Sequence, residues 1–292
     1  IKYLAHNYKL KFYNIDASKT IEFIKQCTIF KKKFTYNKKT GKRISAIIPV
    51  HVWGNAVDLD KLILICKQRN ITILEDASES FGTKYTKGKL KNKYAGTIGK
   101  IGCLSFNGNK IITTGGGGMI LTNDRKIAKR ARYLIDQAKD DGFKYIHNDI
   151  GYNFRLTNIQ AAIGIAQLEK FKDFIKKKKL IHNFYKKNLI ASGLNISKTP
   201  SYAQNNYWLN ILSLDLKTLN NKALKKIINK LKKNRIDTRP VWLPNHMQKK
   251  FKFFQRYKIL KANKIINASL CLPSSINLKK KELTKIVKVL ND

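Results

Sequence analysis

The sequence predicts an α/β protein with a mainly parallel sheet flanked by helices, followed by a smaller C-terminal α+β domain. In the first part of the chain, apolar runs of strand length alternate with helical patterns, which is typical of crossover connections between parallel strands. After Gly193 the pattern changes to short strands and separate helices. A chain of 292 residues is long enough for two domains. We place the large domain at residues 1–175 and the small one at residues 176–292.

The elements follow in a regular order. Asn123 and Asp124 offer N-caps for a helix that ends near Ile135. A long helical pattern at residues 157–188 leads out of the large domain and is expected to bury one face. That face consists of Ile159, Ala162, Ile163, Ala166 and Leu168. The other predicted elements are strands at residues 9–15, 45–50, 72–74, 99–106, 118–122 and 207–214, and helices at residues 58–69, 221–233 and from 279 onward.

The formal net charge of +42 taken alone favours a protein that binds nucleic acid or another anion. Only nine of the 60 basic residues are Arg, however, and the lysines are spread along the whole chain. Nucleic-acid sites concentrate arginine and aromatic residues on one face. We therefore interpret the lysine runs at 31–33 and 176–179 as solvated faces and expect no specific nucleic-acid binding. A basic anion-binding or nucleic-acid-binding protein stays the non-enzymatic alternative.

The sequence lacks an apolar run long enough for a membrane span, a secretion signal and closely spaced cysteines, and these features bear on the location of the protein and the redox state of its thiols. No apolar run approaches the roughly 18–20 residues that cross a bilayer, and the chain opens without a secretion signal. Cys27, Cys66, Cys103 and Cys271 form no close pair and have no His at metal-ligand spacing. We expect reduced, mostly buried thiols, no metal site, no membrane association and a cytoplasmic location.

A carboxylate pair follows one predicted strand. Glu75 and Asp76 come directly after the apolar residues 71–74, so they would lie at the carboxyl end of that strand, where α/β sheets bind ligands. An isolated Asp at such a place is more often a helix cap or a turn. The functional interpretation is a carboxylate that pairs with the protonated nitrogen of a pyridine ring.

A lysine and a glycine-rich turn follow the next strand. Lys110 comes five residues after Ser105, and a lysine amine beside a hydroxyl and backbone amides could form a Schiff base while its neighbours hold a phosphate. The sequence Thr-Thr-Gly-Gly-Gly-Gly at 113–118 lets the backbone pass close by. No Gly-Lys-Ser/Thr ending follows, which argues against a Walker loop. A flexible turn or a different phosphate loop stays open.

The segment Gly-Tyr-Asn-Phe-Arg at 151–155 precedes the long helix and offers Asn153 and Arg155 to an anion. Residue types alone favour an ordinary loop, with Tyr152 and Phe154 packed inward and Arg155 in solvent.

Taken together, these segments resemble the DegT/DnrJ/EryC1/StrS family of sugar aminotransferases, within fold type I of the pyridoxal-phosphate enzymes. The resemblance extends over nearly the whole chain. It rests on the order and spacing of Pro-Val-His-Val-Trp-Gly at 49–54, Glu-Asp-Ala-Ser-Glu-Ser at 75–80, residues 105–119, residues 151–155 and Arg-Pro-Val-Trp-Leu-Pro-Asn-His at 239–246.

The resemblance implies a role for each candidate residue. Lys110 would carry pyridoxal 5'-phosphate and move the proton, Asp76 would bind the pyridine nitrogen, and Ser105 the phosphate. Asn153 would bind the phosphate in a neighbouring subunit, which implies a homodimer with shared active sites. Glu79 stands where relatives commonly have Gln, near the phenolic oxygen of the cofactor, and a carboxylate there needs a proton or a compensating cation.

The segments at 51–55, 75–80 and 105–118 are most similar to a subgroup that makes 4-amino sugars of the legionaminic-acid and bacillosamine type. The implied reaction moves the amino group of L-glutamate to the 4-keto carbon of a nucleotide-linked 6-deoxy sugar, for cell-surface glycans. Dehydratase relatives carry His at the lysine position, so Lys110 argues against that activity. Because a phosphate-clamping Gly-Thr segment of the family would lie upstream of Ile1, a truncated, inactive member stays an alternative.

Overall fold

The computed structural model describes residues 13–215, 221–259 and 262–292. Of the predicted strand at 9–15, residues 9–12 lie outside the described residues, and residues 13–15 form no strand. The helices are α1 (Ala17–Gln26), α2 (Leu59–Gln68), α3 (Arg125–Ile135), α4 (Asn158–Glu169), α5 (Phe171–Asn188), α6 (Asn221–Lys233), α7 (Ala262–Asn267) and α8 (Lys280–Asn291). The strands are β1 (Thr28–Lys31), β2 (Phe34–Asn37), β3 (Ala46–Ile47), β4 (Thr72–Asp76), β5 (Lys84–Tyr85), β6 (Ile101–Ser105), β7 (Gly118–Leu121), β8 (Lys139–Asp141), β9 (Ile146–His147), β10 (Leu194–Ile196), β11 (Ala203–Gln204), β12 (Asn210–Leu214), β13 (Arg239–Pro240) and β14 (Ser269–Leu272).

The first sheet is mainly parallel, as predicted. Its order is β3-β4-β6-β7, in which β3, β4 and β6 are parallel and β7 returns antiparallel to β6. Asp76 pairs with Cys103, and Ser105 pairs with Gly118. Because β4 and β6 run in the same direction, the turn after Asp76 and the loop after Ser105 leave the sheet at the same edge.

Short-range capping explains where two helices begin. The Asp124 side chain accepts hydrogen bonds from the backbone N–H groups of Lys126 and Ile127 at 2.9 and 3.2 Å, which confirms the predicted N-cap of α3. Thr157 and Gln160 form a capping box at the start of α4.

The second sheet is antiparallel throughout, in the order β10-β12-β14-β13. Its core is formed by side chains from the strands and from α5, α6 and α8, so the C-terminal part has the predicted α+β character. The division at residues 175 and 176 stays a prediction. The buried core includes Ile181, Tyr185, Leu212, Leu231, Leu270, Leu283, Ile286 and Leu290.

The prediction of one long helix with a buried face is wrong in two respects. The helix is interrupted at Lys170, and the chain then continues into α5, where the Phe171 ring packs edge-on against Phe81 at 5.0 Å. The proposed buried face is exposed, with 76% of Ile159 and 54% of Leu168 accessible. α4 is apolar on several sides, so helical spacing alone does not identify which side the chain itself covers.

The interpretation of the lysine run at 176–179 as a solvated face is wrong for one member. Lys178 is buried, and its ammonium donates to the backbone carbonyls of Trp208, at 2.9 Å, and Ser274. The other three lysines of this run are exposed, as are all three lysines at 31–33. The position of Lys178 on the inner side of α5, above two carbonyls that need donors, explains the exception.

The thiols are free, but burial is confirmed only for Cys66 and Cys271, because Cys27 is half-buried and Cys103 is exposed. Within the described ranges, no His, Cys, Asp or Glu cluster of three or more is arranged to hold a metal ion. No helix in the part of the chain that the structure describes is long and apolar enough to cross a membrane.

Candidate active site

Asp76 ends β4 and is held by the turn that follows it. Its Oδ1 accepts hydrogen bonds from the backbone N–H of Ser78, at 3.2 Å, and from the Ser78 hydroxyl, at 2.6 Å. The carboxyl group is half-buried. Asp76 therefore stabilises the turn, as a capping residue does, and the same turn fixes its carboxylate at the carboxyl end of β4. The two interpretations of Asp76, as a turn residue and as a cofactor ligand, are compatible.

Glu79 connects three separate segments. One carboxyl oxygen accepts the backbone N–H of Trp53 at 2.7 Å, and the other accepts the indole N–H of Trp242 at 3.1 Å. Burial raises the pKa of Glu79, although the N–H of Trp53 and the charge of Lys110 act in the opposite direction. A raised pKa makes a proton on Glu79 easier to retain near neutral pH. The charge of Lys110 acts on Glu79 in the direction expected of a compensating cation.

Lys110 lies in the electrostatic field of both carboxylates. Burial lowers the pKa of its amine, while the charges of Glu79 and Asp76 raise it, and burial prevails. The Nζ atom lies 4.1 Å from the centroid of the Trp208 ring. We call Lys110, Asp76 and Glu79 the lysine site. A lowered pKa increases the neutral fraction of the amine, which is the form that attacks a carbonyl carbon.

The loop between β6 and β7 has little freedom. Phe106 closes it, donating to the Gly117 carbonyl at 3.0 Å and accepting from the Thr114 N–H at 2.9 Å. The Gln167 side chain of α4 accepts the Thr113 N–H at 3.0 Å. Gly117 has φ +85°, and a Cβ there would lie 2.8 Å from Leu156. Hydrogen bonds at both ends of the glycine-rich segment thus fix its path between β6 and β7.

Ser105 lies at the end of β6, where this loop begins. Its hydroxyl oxygen accepts only a long hydrogen bond, 3.4 Å, from the Asn107 N–H. A hydroxyl group at this strand end, followed by a closed loop with the lysine at residue 110, has the chemistry of an anion-binding turn.

Asn153 is not part of the lysine site within this chain. It is exposed, and its backbone pairs with Asp136. The neighbouring rings of Tyr152 and Phe154 stack at 5.0 Å and are 52% and 70% exposed, so the expected inward packing is wrong. Arg155 is exposed to solvent, as expected, and forms a surface ion pair with Asp136 at 3.3 Å.

Sequence reasoning missed a buried pair beneath the site. His51 Nε2 lies 2.9 Å from Glu75, and both side chains are fully buried. The backbone N–H of Val57 donates to His51 Nδ1 at 3.0 Å, so the imidazole proton is on Nε2 and is donated to Glu75. Glu75 also accepts the backbone N–H groups of Gly96, Ile98 and Gly99. Glu75 therefore anchors the loop before β6, while Asp76 faces the site.

Glu75→Gln is expected to lower the free energy of unfolding at pH 7 by about 3 kcal/mol, because an amide cannot accept all four N–H donors. Burial favours the neutral form of Glu75, but the His51 and backbone hydrogen bonds prevail and hold its pKa below the ordinary value. The contribution is therefore complete above the unfolded pKa of roughly 4.3 and is lost as pH falls through the lower folded pKa.

Urea unfolding at pH 7 and across the acid range measures this effect, with the exposed Glu169→Gln as the control. The stability difference between wild type and Glu75→Gln should narrow as the pH falls below about 4. A difference that stays constant with pH would show that Glu75 is not the ionised acceptor of these bonds.

The chain's three tryptophans line one side of the site, which residue types alone did not reveal. The Trp242 ring lies 6.4 Å from Trp53 and 6.3 Å from Trp208. Trp53 is buried in a left-handed backbone conformation with φ +51°. Such strain in a residue other than glycine is typical of functional sites. Its backbone conformation directs the Trp53 N–H to Glu79.

A lysine after the third parallel strand, opposite a carboxylate at the end of the second, on a mainly parallel sheet with helices, defines the class of fold type I pyridoxal-phosphate transferases. Solved structures agree. Helicobacter pylori PseC, an aminotransferase involved in the biosynthesis of pseudoaminic acid, superposes with a TM-score of 0.80 at 22% identity, covering 96% of this chain and 71% of that one. The chain belongs to the DegT/DnrJ/EryC1/StrS aminotransferase family, whose model matches residues 11–291.

Curated relatives are similar along most of the chain. EpsN of Bacillus subtilis strain 168, a proposed pyridoxal phosphate-dependent aminotransferase, is 36% identical over 259 residues, which are 87% of this chain and 64% of EpsN. GDP-perosamine synthase of Escherichia coli O157:H7 is 36% identical over 256 residues, 87% of this chain and 67% of that enzyme. The chain thus spans about two thirds of the length of these relatives.

Proposed function

We propose that the protein is a pyridoxal-phosphate-dependent aminotransferase that moves the amino group of L-glutamate to the 4-keto carbon of a nucleotide-linked 6-deoxy sugar for cell-surface glycans. The observation that carries this proposal is the lysine site, a half-buried amine whose pKa is lowered by burial and which lies in the field of two carboxylates. The relative named as a GDP-perosamine synthase supports the substrate class.

The residues present fit the cofactor chemically. Pyridoxal 5'-phosphate supplies an aldehyde and an electron-accepting ring when bound. The Lys110 amine would hold the aldehyde carbon and move the proton at the reacting carbon of the substrate. Asp76, oriented by Ser78, would keep the ring nitrogen protonated. Ser105 and the backbone of its loop would bind the phosphate.

Glu79 would lie beside the phenolic oxygen in the place of the more common Gln. Its two oxygens accept N–H groups from Trp53 and Trp242, which favour the ionised form, and a proton retained against them could be donated onward. Burial raises the Glu79 pKa and favours that protonated form.

A homodimer with shared active sites is part of the proposal. Around Asn153, apolar side chains form a continuous stretch of sequence that this chain leaves exposed, and exposed apolar surface of this kind is typical of protein interfaces. In such a dimer Asn153 would bind the cofactor phosphate of the neighbouring subunit, as the family resemblance implies. The exposed residues are Ile150, Tyr152, Phe154, Leu156, Ile159, Ile163, Ile165 and Leu168.

Replacing Ile159 and Ile163 together by Glu is expected to weaken self-association at least ~10-fold, because two charges would have to be buried in an apolar interface. Light scattering coupled to size exclusion over a concentration series measures it. Leu64→Glu, at an apolar residue of α2 that is 63% exposed, is the matched control and should leave the mass unchanged. Equal masses for the double variant and wild type would contradict this interface.

The reaction is tested with pyridoxal phosphate, 15N-labelled L-glutamate and a small panel of UDP-, GDP- and TDP-linked 4-keto-6-deoxy sugars, with products identified by mass spectrometry. The 292 residues and the longest chain that the gene encodes are assayed in parallel. We expect label in the sugar and formation of 2-oxoglutarate. Loss of water without gain of nitrogen would replace the proposal by a dehydratase, and no product with either chain would favour the inactive family member.

Nucleic-acid binding stays the competing proposal, and salt dependence separates the two. Nanomolar binding of RNA or DNA with sequence preference and a steep salt slope would favour it. We expect weak, nonspecific binding. The cytoplasmic location and the domain division at residue 175 stay predictions.

A further inference from the structure

Trp208 is fixed at three points and touches the lysine of the site. Its side chain is 2% exposed. Its backbone N–H donates to the side-chain oxygen of Asn206 at 3.0 Å, and its indole N–H donates to the Asn109 carbonyl at 2.7 Å. The face of its ring lies 4.1 Å from Lys110 Nζ. Trp208, two residues before β12, therefore contacts both the lysine amine and the carbonyl of Asn109, the residue before the lysine.

The third fixed point is the backbone carbonyl of Trp208, which accepts a hydrogen bond from the buried ammonium of Lys178 at 2.9 Å. The same ammonium binds the Ser274 carbonyl after β14. An ammonium held by two carbonyls is costly to bury, and burial lowers the Lys178 pKa to about 8. Lys178 of α5 thus donates a charge-assisted hydrogen bond to the backbone of Trp208, the tryptophan whose ring faces Lys110.

We propose that Trp208 is a positioning residue for the transamination site: its ring face orients the Lys110 amine, its indole N–H fixes the loop at Asn109, and Lys178 holds it in place. This inference rests on the proposed function, in which the Lys110 amine must reach the aldehyde carbon of the cofactor in the right orientation. Proximity and orientation contribute several orders of magnitude to such reactions.

The two contacts should have separable consequences. A cation over an aromatic face is stabilised, so the ring favours the ammonium form of Lys110, in the same direction as Asp76 and Glu79 and against burial. The Asn109 hydrogen bond has no direct effect on charge and acts on geometry. Loss of the ring face should therefore move the pH dependence of the amine, whereas loss of the indole N–H should slow its reaction at every pH.

The test measures condensation of free pyridoxal phosphate with Lys110 as a function of pH. The amine nitrogen bonds to the aldehyde carbon and the aldehyde oxygen leaves as water; cyanoborohydride then delivers a hydride to the C=N carbon, and the modified peptide is quantified by mass spectrometry. Wild type is compared with Trp208→Phe, which keeps a ring face but no N–H, and with Trp208→Leu, which keeps apolar bulk only. Leu231→Ala, a core change in α6, is the control for general loss of stability.

We expect the Trp208→Phe variant to condense ~5 to 10-fold more slowly with its pH midpoint within about 0.3 unit of wild type. Trp208→Leu should be slowed as much, and its midpoint should fall by roughly 0.5 to 1 unit, because the ammonium loses the ring. Lys178→Met should reproduce the slower condensation, and Leu231→Ala should change thermal stability alone.

Two outcomes are distinguishable. If wild type is modified at Lys110, but both Trp208 variants match it in rate and midpoint or change only as Leu231→Ala does, the positioning role is wrong and the proposed function stands. If Lys110 is not modified in wild type, the proposed function itself fails.

Discussion

Lys110→Ala is expected to abolish the visible absorption band of lysine-bound pyridoxal phosphate and to reduce amino transfer at least ~1,000-fold, because one amine both carries the cofactor and moves the proton. Lys110 is a half-buried amine in the field of Asp76 and Glu79, and its charge acts on Glu79. Absorbance titration with pyridoxal phosphate and the labelled-glutamate assay measure the two effects.

The control for Lys110→Ala is Lys91→Ala, at an exposed lysine in the loop before β6. It removes the same charge from a protein with a formal net charge of +42 and should leave band and rate unchanged. If Lys110→Ala kept the band, another lysine would be the carrier, and the account of the site would have to be abandoned.

Asp76→Asn is expected to lower the rate of amino transfer by ~100 to 10,000-fold while leaving the fold intact. The amide oxygen still accepts from Ser78, so the turn after β4 is preserved. What disappears is the negative charge that would keep the ring nitrogen protonated and the ring electron-poor. A loss of that charge acts on the reaction more than on binding, so kcat should fall further than cofactor affinity.

Two measurements separate the effect of Asp76→Asn on the reaction from an effect on the fold. They are the rate at saturating cofactor and the thermal midpoint of the protein without added cofactor. The control is Asp173→Asn, at an exposed carboxylate in the first turn of α5, which should be neutral. An Asp76→Asn variant with wild-type kcat would mean that another group protonates the ring or that Asp76 only caps the turn.

Much of the fold was predictable because short-range sequence patterns, such as capping residues and apolar runs, determine where its helices and strands lie. The helix starting at Arg125 follows a capping Asp124, and the β4 and β6 strands lie where apolar runs precede Asp76 and Lys110. Since parallel strands expose their carboxyl ends at one edge, local signals were also enough to predict that Asp76 and the loop of Lys110 leave the sheet at the same edge. The identity of Glu79 as a third member came only from the family resemblance.

The contacts that sequence reasoning could not find join distant parts of the chain. In sequence, Lys178 cannot be distinguished from its three exposed neighbours in the run 176–179. It is buried because the fold brings two distant backbone carbonyls to its ammonium. The hydrogen bonds between Trp208 and Asn109, 99 positions apart, and between His51 and Glu75, 24 positions apart, also depend on the fold and leave no pattern in the sequence. The exposed face of α4 was mispredicted because helical spacing marks apolar residues and does not tell whether the same chain or a second copy covers them.

The most direct measurement is to reduce the protein in the presence of pyridoxal phosphate and map the modified lysine by peptide mass spectrometry. The chain carries 60 basic residues, of which only nine are Arg, so an unselective reagent would label many lysines. The account predicts that, at cofactor concentrations equal to those of the protein, the label lies on Lys110 and that Asp76→Asn and Lys110→Ala reduce or remove it. Label distributed over exposed lysines, or concentrated at a lysine distant from Asp76, would contradict it.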